Sequence, residues 1–296
     1  MSNLVLTVVS RLTASQMRPF VVSFQKYQEN ADLVLFTNCL DDVTRKYLSG
    51  VAKELVDFSF FSFRRRHFEC LLWPICKPLF PRLSEASRRA LARRVFDLPC
   101  LRFLLYLEYL ESLVEKPQWI FLTDSRDAIF QDDLFARMKT PGLYVFGEGK
   151  GRAIASCRGN AWMMKQCAGQ KAVEELGHCE PTCAGTILGD YESMLAYLQT
   201  TVRLTMSVLE MRLVATVDQG LHNYIVHKKL SPNIKFIDND EGPIGTLGCV
   251  PADQIRESPE HLILQQDGRP YAFLHQQDRH KQIVANHPVY KQCLSC

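Results

Sequence analysis

The chain has 296 residues, of which 47% are hydrophobic and 23% charged, a composition typical of a soluble globular protein. Its formal net charge of +3 is too small to indicate a nucleic-acid partner or an anionic membrane surface. The 11 cysteines are odd in number and scattered, which excludes a disulfide framework and favours free thiols in a reducing compartment. Since the apolar run at residues 4–9 is too short for a signal peptide or a membrane span, we expect a cytoplasmic protein.

The first part of the chain alternates strands and helices. Residues 3–10 predict a strand that ends at Ser10, and a helix follows with Pro19 in its first turn. Residues 32–38 and 54–58 predict the next two strands, and this alternation calls for a parallel sheet. Neither a G-x-G-x-x-G fingerprint nor a P-loop follows the first strand.

Residues 59–96 have no regular period and mix aromatic residues, arginines and prolines. We interpret them as an irregular, partly helical insertion that could form one side of an acceptor groove. The following residues 101–113 predict a helix that is apolar around most of its circumference and therefore largely buried.

A short apolar run at residues 119–122 is typical of a strand that is buried on both faces of a parallel sheet. It ends in Thr-Asp-Ser-Arg-Asp, with Asp124, Arg126 and Asp127 at the edge where open α/β sheets bind ligands. Such crowding of charges is costly unless a divalent ion or a phosphate shares the site. The simpler alternative is a helix-capping aspartate beside a surface ion pair.

Further strands and helices carry the remaining polar signals. Residues 142–146 predict a strand with Glu148 just past its end, and residues 183–189 predict another. Asp218 and Gln219 begin a predicted helix, where Asp218 also suits a helix cap.

The last part of the chain predicts a β-hairpin and then a tail. Residues 261–274 form the hairpin signal, because their Asp-Gly pair suits a type I′ turn, and His275 follows its second strand. Residues 282–296 are expected to be a loose tail, which leaves residues 1–281 as a single domain.

The joint order of these signals resembles the GT-A-fold nucleotide-sugar glycosyltransferases over about residues 3–280. The resemblance implies an α/β fold with a mostly parallel central sheet and helices on both faces. It also implies metal-dependent transfer of a sugar from a nucleoside-diphosphate donor, with a UDP-sugar favoured, to an unknown acceptor hydroxyl. The motifs that carry it are Leu122-Thr-Asp-x-Arg-Asp-x-x-Phe-Gln131, Ala184-Gly-Thr186, Asp218-Gln-Gly-x-x-Asn223 and the late His275.

The resemblance assigns the metal ligands and leaves one position open. Asp124 to Asp127 occupies the place of the family's DxD motif, so Asp127, Asp124 and His275 are the expected ligands of Mn²⁺ or Mg²⁺. Because the spacing here is D-x-x-D, Ser125 is an alternative occupant of the first acid's place. Asp127 is therefore the firmer metal ligand. His275 has the alternative of a strand-end histidine bonded to a backbone carbonyl.

The resemblance also assigns donor contacts and catalytic groups. Asp218, Gln219 and Glu148 are the expected catalytic residues, with Asp218 or Glu148 as the base for the acceptor hydroxyl and Asp218 or Gln219 beside the anomeric carbon. Inversion and retention both stay open. The expected donor-binding residues are Ser10, Asp124, Arg126, Ala184 and Gly185.

The same residues also favour or disfavour several other functions. A catalytically inactive GT-A module that binds a nucleotide, a glycan or a protein is favoured by Ala184, which lacks the usual hydroxyl or amide, and by the D-x-x-D spacing. Haloacid-dehalogenase-like phosphatases need a different spacing of the acids, and nucleotidyltransferases need a Gly- and Lys-rich loop after the first strand. Zinc at His178, Cys179 and Cys183 lacks an evident fourth ligand.

Overall fold

The computed structural model describes residues 2–59, 78–149, 151–211 and 216–294. The helices are α1 (Ala14–Tyr27), α2 (Asp42–Ser49), α3 (Glu85–Val95), α4 (Leu98–Ser112), α5 (Arg158–Ala168), α6 (Gln170–Leu176), α7 (Tyr191–Met211), α8 (Asp218–His227), α9 (Lys281–Val284) and α10 (Pro288–Leu294). The strands are β1 (Asn3–Ser10), β2 (Ala31–Asn38), β3 (Glu54–Asp57), β4 (Trp119–Thr123), β5 (Ala128–Phe130), β6 (Leu143–Gly147), β7 (Thr182–Asp190), β8 (Ile234–Ile237), β9 (Ile244–Thr246), β10 (Arg256–Glu257), β11 (Ile263–Leu264) and β12 (Phe273–His275).

The central sheet has the strand order β3-β2-β1-β4-β7-β6-β8. Its neighbouring strands are parallel except at β7, which runs antiparallel to both β4 and β6. The predicted α/β class with a mostly parallel sheet is confirmed. Because β7 is reversed, its first residues lie at the carboxyl edge of β4, where the Asp124 amide donates to the Gly185 carbonyl at 3.1 Å.

Helices cover both faces of this sheet, as predicted. On β1, Leu4 and Leu6 join a core cluster with α4 and α7, whereas Val5 and Val9 join a second cluster with α1. Successive side chains of a strand point to opposite faces, so one apolar strand contributes to both cores. The strand predicted at residues 119–122 is buried throughout.

Helix α1 begins earlier than its proline indicated. Thr13 forms a capping box with Gln16, in which each side chain bonds the other residue's backbone N–H, so the helix begins at Ala14. Pro19 consequently lies inside the helix and not in its first turn. The two hydrogen bonds of the capping box stabilise the helix start at Ala14, which the position of Pro19 did not predict.

A second, three-stranded sheet has the order β5-β12-β9 and brings His275 level with Ala128. The predicted hairpin forms from Ile263 to Tyr271, where the Gln265 amide donates to the Arg269 carbonyl at 2.8 Å and the Tyr271 amide donates to the Ile263 carbonyl at 3.1 Å, but this pairing does not continue into β12. Strand β12 pairs with β5 and β9 instead, because Phe273 packs edge-on against Phe130 in the core at 4.7 Å between ring centroids. This pairing sets the end of β12 beside the loop that follows β4.

One other predicted segment is described only in part, and another differs from expectation. Of the predicted insertion, residues 60–77 lie outside the described residues, while helix α3 is regular and capped by Ser84. The expected tail contains α9 and α10, and both His287 and Val289 are fully buried there. Apolar contacts with the small sheet and the hydrogen bonds of His287 hold this segment on the domain.

Candidate functional site

Four elements converge at the carboxyl edge of β4: the loop that follows β4, the start of β7, the N-terminus of α8 and the end of β12. The reversed β7 and the small sheet cause this convergence, since they return distant parts of the chain to one edge. The predicted residues that meet here are Asp124, Asp127, Ala184, Gly185, Asp218, Gln219 and His275.

Arg102 on α4 lies at the centre of this cluster, although it was not among the predicted site residues. Its Nη1 donates to Oδ1 of Asp124, and its Nη2 donates to Oδ2 of Asp218 at 2.9 Å and to the Ala184 carbonyl at 3.1 Å. The Arg102 side chain is only 12% exposed. An arginine within a largely buried helix was the available signal, because a buried guanidinium is costly unless acids pair with it.

The two acids beside Arg102 respond differently to it. Burial alone would raise the pKa of Asp124, but the charge of Arg102 and the contact with His275 lower it below its usual range. For Asp218 burial is the stronger effect, and its pKa is raised although Arg102 opposes the change. Asp124 is therefore held ionised, whereas Asp218 is the more readily protonated of the pair.

His275 faces both predicted metal-binding aspartates. Its Nε2 lies 3.4 Å from Oδ2 of Asp124 and 3.9 Å from Oδ1 of Asp127, and its Nδ1 lies 3.4 Å from Sγ of Cys183. The residue is 1% exposed, and within the described part of the chain its Nε2 has no hydrogen-bond partner. A buried imidazole nitrogen left unsatisfied beside a carboxylate fits a metal ligand.

The residues present fit a divalent ion only in part. The described ranges contain no group of three or more His, Cys, Asp or Glu side chains arranged to hold a metal ion. Arg102 engages Asp124, so Asp127 and His275 are the side chains that fit as ligands, with further oxygens to be supplied by a bound diphosphate. Burial raises the pKa of the Asp127 carboxyl, and the nearby His275 opposes this change.

Gln219 links the start of β7 to α8 by side-chain hydrogen bonds. Its Oε1 accepts a hydrogen bond from the Ala184 amide at 2.9 Å, and its Nε2 donates to the Thr182 carbonyl at 2.7 Å. Gly185 lies so close to the acids that an added Cβ would be 2.6 Å from Oδ2 of Asp124. The Ala-Gly pair and Gln219 thus shape the floor of the site, and the Gln219 amide oxygen is directed at the strand.

Glu148 follows β6 and joins the same network. Its Oε1 accepts from Nε2 of Gln219 at 2.9 Å, and its Oε2 accepts from Nδ2 of Asn160 at 3.5 Å. Burial raises the pKa of Glu148 above 4.5, its ordinary value, although these hydrogen bonds favour the ionised form. A carboxylate with a raised pKa holds a proton more readily than an ordinary one, which suits a group that accepts and returns a proton.

The raised pKa of Glu148 predicts a pH-dependent effect of replacing it with glutamine. Because the folded state holds the proton more tightly, Glu148 contributes stability at low pH that is lost as pH rises through its raised pKa. Glu148→Gln cannot ionise, so its unfolding free energy relative to the parent protein should increase as pH rises above 4.5, the ordinary pKa, and level off above the raised pKa. Urea unfolding at several pH values measures this difference, and a constant difference would contradict the prediction.

Two predicted donor-binding residues lie at the same edge but outside the hydrogen-bonded cluster. Oγ of Ser10, at the end of β1, is 3.4 Å from Oδ1 of Asn38. Arg126 is 58% exposed at its side chain, and its Nη2 lies 3.6 Å from Oδ2 of Asp278. Neither residue makes a contact that indicates its ligand, and their donor-binding roles stay predictions.

The cysteine chemistry agrees with free thiols. Six cysteines in the described ranges are free thiols: Cys39, Cys100, Cys157, Cys179, Cys183 and Cys249. Sγ of Cys179 lies 3.7 Å from Nε2 of His178, whereas Cys183 turns to His275, so the three do not share a zinc site. None of the helices in the described ranges has the length and apolar character needed to cross a membrane.

Comparison with known proteins identifies no family. No protein-family model matches the sequence. A search of curated proteins found no match either. Among solved structures the chain is similar in fold to the galactosyltransferase LgtC, which was crystallised with donor and acceptor sugar analogs. The likeness has 10% sequence identity and a TM-score of 0.48, and it covers 92% of this chain and 86% of that one.

Proposed function

We propose that this chain is a metal-dependent glycosyltransferase of the GT-A type, which transfers a sugar from a nucleoside-diphosphate donor, with a UDP-sugar favoured, to an acceptor hydroxyl. The observation that carries the proposal is the convergence of Asp127 and the unsatisfied Nε2 of His275, 3.9 Å apart, next to the largely buried Arg102 and the two acids that it binds. This edge of the sheet has groups suited to each part of the donor. Asp127 and His275 suit a metal ion bound to the diphosphate, and the two acids held by Arg102 suit the sugar.

Asp127 and His275 would hold Mn²⁺ or Mg²⁺ together with oxygens of the diphosphate. The bound ion would supply stabilisation of the negative charge that develops on the leaving phosphate oxygens. Behind His275, Sγ of Cys183 lies 3.4 Å from Nδ1 and orients the ring so that Nε2 faces the acids.

Arg102, Asp124 and Asp218 would bind the donor sugar. Arg102 fixes both carboxylates by direct hydrogen bonds, so each keeps a free lone pair at a defined position for a sugar hydroxyl. Asp218, 12% exposed at its side chain, would also stabilise the positive charge that the sugar ring gains as its bond to the diphosphate breaks.

Glu148 is the better candidate for the base. Asp218 is already bound to Arg102, whereas the hydrogen bonds that Glu148 accepts from the described residues come from the side-chain amides of Gln219 and Asn160. In the proposed reaction the bond from the anomeric carbon to the diphosphate oxygen breaks and a bond to the acceptor oxygen forms. The acceptor proton passes to Glu148 in the same step.

A second candidate function is a nucleotide-binding module without turnover. The Gln219 amide oxygen is directed at the Ala184 amide and not at a position open to a sugar. Ala184 also offers no polar side chain to a sugar. Both observations favour binding over transfer.

Thermal unfolding with Mn²⁺ and UDP tests the proposal and separates the two candidates. A ligand at a hundred times its Kd raises the unfolding free energy by about 2.7 kcal/mol, which is a measurable shift of Tm. If neither UDP nor another nucleoside diphosphate shifts the Tm in the presence of metal, both candidate functions fail. A shift without hydrolysis or transfer of a UDP-sugar supports the binding module.

Asp127→Asn is expected to abolish the metal-dependent part of this shift, because an amide is a much poorer ligand for a hard divalent cation than a carboxylate. The unfolding temperature without ligand should stay the same or rise slightly at neutral pH, since burial raises the pKa of the Asp127 carboxyl and an amide carries no charge to bury. Asp42→Asn, an exposed change in the first turn of α2, is the control. Retention of the full metal-dependent shift in Asp127→Asn would overturn the metal assignment.

A further inference from the structure

The backbone turns sharply directly after His275. Gln276 adopts the left-handed conformation with φ +55°, which is uncommon for a residue with a side chain. Such a conformation persists only where surrounding contacts hold it, and it is enriched at functional sites. The next residue, Gln277, supplies those contacts.

Gln277 joins the two loops that carry the proposed metal ligands. Its backbone N–H donates to the Asp127 carbonyl at 3.2 Å, while His275 lies two residues before it. This hydrogen bond is therefore a direct link between the loop after β4 and the loop after β12. Since backbone atoms form it, the link constrains the separation of the Asp127 carboxylate from Nε2 of His275.

The Gln277 side chain is in turn held by Tyr290 on α10. Nε2 of Gln277 donates to the Tyr290 hydroxyl at 2.5 Å, and Gln277 is 2% exposed. Burial raises the pKa of Tyr290 to about 12, so the phenol stays neutral and its oxygen accepts this bond at physiological pH. Tyr290 thus restrains a buried side chain whose backbone touches Asp127.

Helix α10 is itself fixed to the domain. Nε2 of His287, in the residue before the helix, is 2.9 Å from Oε1 of Gln131, and Val289 is buried in a cluster with Ile129 and Leu274. Ile129 belongs to β5, the strand that follows Asp127, and Leu274 belongs to β12, the strand that contains His275. The helix therefore packs on the same small sheet that positions His275.

We propose that Tyr290 is a positioning residue for the metal site, acting through Gln277 to hold Asp127 and His275 at binding distance. This inference rests on the proposed function for the identity of the site. It makes α10 part of the framework of the site, although α10 lies outside the span of the family resemblance. The link acts on the metal ligands and not on the groups that would hold the nucleoside.

Tyr290→Phe tests this role because it removes the hydroxyl and keeps the ring. We expect the apparent Kd for Mn²⁺, measured by calorimetry with UDP present, to increase about 10-fold, the lower end of the range for groups that orient metal ligands. Binding of uridine without metal should be unchanged, whereas general destabilisation would weaken both. Tyr224→Phe on α8 is the matched control and should leave the Mn²⁺ affinity unaltered.

Hydrogen exchange of the Gln277 amide tests the link independently of nucleotide or metal binding. Tyr290→Phe should accelerate exchange at this amide about 10-fold, and it should add little to the loss of Mn²⁺ affinity in a Gln277→Ala background. Unchanged exchange, or faster exchange with unaltered Mn²⁺ affinity, would overturn the positioning role. Absence of any Mn²⁺–UDP binding in the parent protein would instead remove the proposed function, and the exchange result would still decide whether Tyr290 holds Gln277.

Discussion

Arg102→Ala is expected to lower the unfolding free energy by about 3–5 kcal/mol at neutral pH, because it leaves two acids, one of them largely buried, without their counter-charge. Asp218 is the main source of this loss, since its side chain is 12% exposed, whereas Asp124 at 42% is partly solvated. Nucleotide-sugar binding should also be lost, because Arg102 holds both carboxylates in place. The stability loss should shrink as pH falls through the pKa values of these acids, when protonation removes the unpaired charges.

Urea unfolding and calorimetric binding of a UDP-sugar measure the effect of Arg102→Ala. Arg93→Ala is the control, because Arg93 forms an ion pair with Glu108 at 2.5 Å and keeps 54% of its side chain exposed. An exposed pair of this kind contributes at most about 1 kcal/mol. If the two variants lost equally little stability, the central place given to Arg102 would be wrong.

Gly220→Ala is expected to cost about 3 kcal/mol and to disable the site, although it adds a single methyl group. A Cβ on Gly220 would lie 2.5 Å from the amide nitrogen of Met164 and would also overlap the carbonyl carbon of Met163. These are backbone atoms of α5, so relief requires one helix to move away from the other. Such movement displaces Asp218 and Gln219 in the first turn of α8.

Gly159→Ala is the matched control for Gly220→Ala. Gly159 lies in α5 itself, and within the described residues its added Cβ would meet only Sγ of Cys157 at 3.9 Å, an ordinary contact. Since alanine is the better helix former, this variant should be neutral or up to about 1 kcal/mol more stable. Chemical denaturation of both variants makes the comparison. Similar effects at the two glycines would contradict the close approach of α5 and α8.

Local patterns in the sequence were sufficient for several features of the site. The apolar run at residues 119–122 is the buried central strand, and Asp124 and Asp127 follow it at the sheet edge. A strand that is buried on both faces has a continuous apolar sequence, and it ends where charged residues begin. The buried strand and the position of the acids can therefore be predicted from neighbouring residues alone. The predicted placement of Asp218 and Gln219 at a helix N-terminus is also confirmed, because it too depends only on neighbouring residues.

The far end of the predicted hairpin and the tail show where local patterns fail. An Asp-Gly pair favours a turn, but β12 gains more by pairing with β5 and β9, where Phe273 completes an aromatic cluster with Phe121 and Phe130. The short helix α10 has little intrinsic stability, and its packing on the small sheet and the contacts of His287 order it. Both outcomes depend on partners more than a hundred residues away in the chain.

The sequence by itself therefore determined the fold class, the buried strand and the acidic sheet edge, since these follow from periodicity and burial. Only the tertiary structure decided that β7 runs antiparallel, that Arg102 joins Asp124 to Asp218, and that Gly220 is needed for helix packing. The physical reason is that strand direction, charge pairing and close packing are set by which distant segments meet. No local sequence pattern specifies these long-range contacts, and the candidate metal site at Asp127 and His275 depends on them.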